Sequence, residues 1–118
     1  MNDRERLNQV LEIFSAQGYK ISGGQDDCGS CVAAALDLGD DEQYIFWTTQ
    51  DEEQAFPELY RNEFPSTEPE VFGDNFLRAG RLQISWRGEG EAIVQAFRTA
   101  GFHADWKGQL EDHIFVSK

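Results

Sequence analysis

Hydrophobic positions along the first seventeen residues recur with helical spacing. Leu7, Val10, Leu11 and Phe14 fall at i, i+3, i+4 and i+7, which predicts an amphipathic helix over residues 3–17 with Gly18 as its stop. Tyr19 to Ser22 reads as a short extended piece and Gly23-Gly24 as a turn. Asp26-Asp27 then supplies an N-cap for a second helix, Cys28 to Leu38, with Ala33 to Ala35 inside it. Gln43 to Thr49 is β-branched and aromatic, with apolar side chains on both faces, the pattern of a central strand. A third helix begins at Thr49 or Gln50. Ala55, Phe56, Leu59 and Tyr60 form its buried face, and Pro57 sits inside it. Asn62 to Asp74, with two prolines and four acids, reads as a long irregular connection. Arg81 to Arg87 alternates strictly, placing Leu82, Ile84 and Trp86 on one face of a strand whose other face is wet. Gly88 to Ala100 is a helix burying Ile93, Val94 and Phe97. Phe102–Trp106 and Leu110–Val116 form a hairpin around Lys107-Gly108-Gln109. The order ααβαβαββ predicts an α+β two-layer sandwich, with about four mostly antiparallel strands and helices packed on one face.

At 118 residues the chain is read as a single domain spanning 1–118. Its 40% hydrophobic content, with nine Phe, three Trp and three Tyr, is enough for one core. No apolar run approaches the length of a membrane span, and the charged N-terminus has no signal-peptide core behind it. The expectation is a cytoplasmic protein with reduced thiols.

Charge changes the picture more than composition does. The formal net charge is −12. Fourteen of the 22 acids but only one of the ten basic residues, Arg61, lie between Asp26 and Asp74, so nearly all the excess belongs to the middle of the chain. Such a field repels nucleic acid and anionic lipid, and it speeds encounter with a basic protein. Asp40, Asp41 and Glu42 on one side of the central strand, and Asp51, Glu52 and Glu53 on the other, are the expected contact residues for a basic partner. The plainer reading of the same clusters is a solvated loop and a helix start, where acids favour the dipole. The spaced ligands of a calcium loop are not present in either cluster.

Cys28-Gly29-Ser30-Cys31 is the one motif with intrinsic chemistry. At a helix N-terminus a thiolate is stabilised, and two cysteines so spaced can close a disulfide. Asp26 and Asp27 oppose the thiolate. As metal ligands the pair offers two of the four groups that structural zinc takes, and His103 and His113 are the remaining candidates. The plain alternative is two small side chains packing a helix. Gln50, just past the central strand, and Trp86 with Trp106, each followed by a basic residue and glycine, form a candidate small-ligand patch. Nucleotide-binding glycine loops, the Gly-x-Ser-x-Gly elbow and the His-Glu-x-x-His motif do not occur. No cofactor is expected, and a non-catalytic role is favoured over an enzymatic one.

Several of these features together resemble a family. They are the Cys pair, the aromatic strand Phe46-Trp47-Thr48-Thr49 running into Gln50-Asp51, the step Gly101-Phe102, and Trp106-Lys107-Gly108 before a last strand. The chain is similar over nearly its whole length to a family of small, mostly bacterial domains of unknown function. The resemblance implies the fold and no activity. Thr48 stands where that family often has a histidine, and its Cys region is often richer in cysteine, which speaks against a metal site in this member. The expected function is a cytosolic binding module, for instance an immunity-type or regulatory partner of a basic enzyme. A thiol-redox or metal-binding role for Cys28 and Cys31 is the alternative.

Overall fold

In a computed structural model, the described residues are 2–24, 29–37, 42–60, 71–109 and 112–118, with 29–31, 58–60 and 71–72 described by backbone alone. Four helices are present among them: α1 (Asp3–Ala16), α2 (Gly29–Leu36), α3 (Thr49–Ala55) and α4 (Gly90–Thr99). The strands are β1 (Lys20–Gly23), β2 (Tyr44–Trp47), β3 (Glu58–Tyr60), β4 (Val71–Phe72), β5 (Arg81–Arg87), β6 (His103–Asp105) and β7 (Ile114–Ser117). Five of them form one mixed sheet in the order β1-β2-β5-β7-β6, and β3 pairs with β4 in a separate two-stranded ribbon.

The α+β class is as expected, but the strand count and order differ. The extended piece after α1 is a full edge strand, and it pairs parallel to β2, Ile21 opposite Ile45. The third helix is shorter than its apolar pattern implied. Proline at position 57 disfavours helical backbone in the residue before it. Phe56 accordingly adopts φ −118° and ψ 145°, and the chain runs on as β3. The hairpin pair is present as β6 and β7, antiparallel, with β7 also paired to β5.

Helices cover both faces of the sheet, not one. The main core joins Leu7, Val10, Leu11 and Phe14 of α1, and Ile93, Val94 and Phe97 of α4, to Ile45, Trp47, Leu82, Ile84, Trp86, Ile114 and Val116 of the sheet. Burying each of these larger side chains contributes about 1.5–3 kcal/mol. Val32 of α2 and Phe46 of β2 are also buried, at 0% and 8% exposure, yet lie outside that cluster. By register Phe46 points to the opposite face, so α2, which packs against β1, lies there. On the same face α3 borders the start of β5, with Asp51 and Gln54 beside Gln83 and Phe115, and β7 and β6 have no helix above them among the described residues.

The first turn of α1 is tied to the segment before β5. Asn2 caps the helix by accepting from the Glu5 amide at 2.8 Å. The Asp3 amide donates to Asn75 Oδ1 at 3.1 Å and the Arg4 amide to the Asp74 carbonyl at 2.9 Å, so three otherwise orphan N–H groups find acceptors. The Asp3 carboxylate, buried at 4% exposure, accepts from Lys118 Nζ at 2.7 Å and from the Phe76 amide at 3.0 Å. Burial alone raises its pKa. The hydrogen bonds from Lys118 and Phe76, with the charges of Lys118 and Arg6, outweigh that and hold the carboxyl below its ordinary value of 3.8.

Candidate functional site

Beyond α2 this sheet face carries a groove. Alternation along β5 turns Arg81, Gln83, Ser85 and Arg87 onto it, and the β7 register sets Phe115 opposite both Gln83 and Asp105. The Arg81 guanidinium stacks on the Phe115 ring, 4.2 Å from its centroid. This stacked pair separates two cavities. The larger, about 470 Å³, lies toward the β6–β7 connection and is lined by Arg81, Asp105, Trp106, Lys107, Asp112, His113 and Phe115. The smaller, about 240 Å³, lies toward α3 and is lined by Asp51, Gln54, Arg81, Gln83 and Phe115. Stacking occupies the face of a guanidinium and leaves its N–H groups pointing outward in the plane, the arrangement that binds a carboxylate or phosphate side-on.

The wall at Trp106 is rigidly built. Trp86 and Trp106 meet edge to face, with centroids 5.5 Å apart and planes at 87°. Each indole N–H donates to a carbonyl at 2.9 Å, Trp86 to Asp112 and Trp106 to Gln109. Gly90, the first residue of α4, sits against both rings. A Cβ there would lie 2.5 Å from Trp86 and 2.8 Å from Trp106. Trp86 and Trp106 are therefore in contact, and the two rings are placed differently. Trp86 is 6% exposed and supports, and Trp106 reaches the cavity. Gln50 is exposed on α3 and lines neither cavity.

The acidic set is not one surface. Glu42 and Asp51 stand at opposite ends of β2. Glu42 pairs with Lys20 at 3.3 Å. Asp51 closes a capping box, its carboxylate accepting from the Thr48 amide at 2.8 Å while Thr48 Oγ1 accepts from the Asp51 amide at 3.1 Å. Glu52 corrects the expectation of a docking residue. It is 3% exposed, and its Oε1 accepts from Arg4 Nη1 and from the Trp47 indole N–H, both at 2.9 Å. Arg4 in turn stacks on Phe56 at 4.5 Å. The glycine turn makes room for this carboxylate: a Cβ on Gly24, whose φ is +72°, would collide with it. Glu53 is exposed, as expected. Asp40 and Asp41 lie outside the described residues.

Cys28 also lies outside them, and Cys31 is placed only as backbone within α2. The segment that carries the motif does connect a strand, β1, to a helix, α2. The two histidines do not converge. His103 faces Ser117, four positions along the ladder from His113, a separation of roughly 13 Å at 3.3 Å per residue. Among the described residues no group of three or more His, Cys, Asp or Glu is placed to hold a metal ion, and no helix is long and apolar enough to cross a membrane.

Compared with models of known families, with curated proteins and with solved structures, the chain matches none. The resemblance to small bacterial domains of unknown function therefore rests on the sequence motifs alone.

The sequence reading missed the pairing of Arg81 with Phe115. The alternation of Arg81 to Arg87 marked the wet face, and only the β5–β7 register puts Phe115 beside it.

Proposed function

We propose that this chain is a non-catalytic binding module whose ligand lies in the groove across β5, β7 and β6. One observation carries the reading: a guanidinium stacked on an aromatic ring stands between two cavities on the part of the sheet face that lies beyond α2. The larger cavity adds the Lys107 ammonium and the Trp106 ring to Arg81. Its volume suits a small ligand with a flat apolar part and a carboxylate or phosphate end. Asp105 and Asp112 on the same wall disfavour a second anionic group and accommodate a donor. The test is titration with benzoate and phenyl phosphate, followed by amide chemical shifts. Shifts centred on Arg81, Trp106 and Phe115, lost in Arg81→Ala with the fold intact, are expected. Shifts confined to other surfaces would end the reading.

A second reading is favoured by the charge itself: the acid-rich middle of the chain attracts a basic protein. With Glu52 internal, the described acids left to meet it are Glu53, the Lys20-paired Glu42, and Asp37 and Asp74. Association with such a partner weakens steeply between low and high ionic strength. Salt-independent association removes this reading and leaves the groove untouched.

A further inference from the structure

We infer that the free edge of β1 accepts an extended, basic segment of another protein as an added strand. The inference is independent of the groove and gives the basic partner a place to dock. The ladder fixes which backbone groups are free. Lys20 donates its N–H to the Gln43 carbonyl and Gly24 to the Trp47 carbonyl, both at 3.0 Å, so the even-numbered residues bond to β2. Ile21 and Gly23 therefore turn their N–H and C=O groups away from β2. With β1 at the end of the sheet, no described backbone group meets them. They offer two donors and two acceptors along a strand that has neither proline nor bulge, and Lys20 does not guard the edge, because its ammonium is held by the Asp37 carbonyl at 2.9 Å and by Glu42. The opposite edge differs. There β6 has only three residues, and its middle carbonyl, Ala104, accepts from Arg98 at 3.0 Å.

A cavity of about 250 Å³ runs beside β1, bounded by Ile21, Ser22 and Gly23 and by Asn8, Leu11 and Glu12 of α1. Leu11 and Ile21 give it an apolar floor for alternate side chains of an added strand. Glu5, Asn8 and Glu12, at i, i+3 and i+7, line the exposed helix flank beside it. Two carboxylates on that flank, on a chain of charge −12, select lysine or arginine in the incoming segment and disfavour acids.

The test uses three capped eight-residue peptides: alternating Val and Lys, the same peptide N-methylated at every amide so that neither edge can pair, and alternating Val and Glu. The Val-Lys peptide should bind, shift the amides of Ile21 and Gly23, and slow their exchange with solvent. N-methylation should abolish binding, because strand addition needs those amides. The Val-Glu peptide should bind at least tenfold more weakly. Glu12→Lys should weaken Val-Lys binding about two- to fivefold, the range of an exposed ion pair. Equal binding of the N-methylated peptide, shifts at β6 instead of β1, or no binding of any peptide would each overturn the inference. So would dimerisation through β1 in the absence of peptide, which would make a second copy the occupant.

Discussion

Glu52 gives the sharpest test of how this fold is held together, because its partners differ in burial. In Glu52→Ala the Trp47 indole N–H, on a side chain 2% exposed, loses its acceptor. A buried donor left unpaired costs about 1–3 kcal/mol. Arg4 loses its carboxylate as well, but Arg4 is 27% exposed and regains water, so that part adds at most about 1 kcal/mol. The vacated methylene volume adds about 1 kcal/mol more. The expected total is about 3 kcal/mol. Glu52→Gln keeps an oxygen for the indole and loses only the charge facing Arg4, for about 1 kcal/mol. Urea unfolding followed by tryptophan fluorescence reads both. With a slope of about 2 kcal/mol/M, the midpoint should fall by about 1.5 M for the alanine variant and about 0.5 M for the glutamine variant, at unchanged slope. Equal losses in the two variants would refute the indole acceptor as the dominant role. A loss under about 1 kcal/mol in Glu52→Ala would refute the claim that this carboxylate belongs to the interior.

Asp3 should make the fold acid-sensitive. Its carboxyl is held below 3.8 in the folded state, so its contribution is complete above the unfolded value and is lost as pH falls through the folded one. Asp3→Asn should therefore be less stable than the parent at pH 7 and show a smaller further loss below pH 4 in urea unfolding; a parallel pH profile would refute this. Gly90→Ala should destabilise by about 1–2 kcal/mol and reduce the near-ultraviolet dichroism of the tryptophans, because both rings are anchored by their N–H groups and cannot give way. A neutral or stabilising effect would show that the pair is free to shift. Arg81→Ala, exposed and stacked on one ring, should change stability by no more than about 1 kcal/mol while abolishing binding of benzoate in the groove.

Elements with an unbroken period were legible in the sequence. Strand β5 occupies Arg81 to Arg87 as its alternation implied, and α1 and α4 end within a few residues of their glycine stops. Failures occurred where local pattern and tertiary pairing compete. Four residues, Lys20 to Gly23, are too short to announce a strand, and nothing in them signals a parallel partner twenty-odd positions away. The apolar spacing of Ala55, Phe56, Leu59 and Tyr60 fits one helix face, yet the proline at 57 overrides it. The same short strand decides the site. With β1 parallel to β2, α2 becomes the crossover between them, and it packs against β1 at one end of the sheet, away from β7 and β6.

Charge was the least transferable part of the reading, for a physical reason. A count along the chain treats every carboxylate as solvated, whereas folding sorts them by what stands opposite. Arg4 and Lys20 come from outside the acidic stretch, and they reach Glu52 and Glu42 because α1 and β1 pack beside β2 and α3. Asp51 is taken by the helix it begins. The carboxylates named before folding thus include a core acceptor, a cap and a surface ion pair, with Glu53 exposed to solvent. Meanwhile Arg81 and Lys107, unremarkable in a linear tally, come to line one cavity with two rings. A protein of net charge −12 therefore sets two cations beside two carboxylates in one cavity of its sheet face, and under the proposed reading the overall field would govern the approach of a partner while the local groove would select a small ligand.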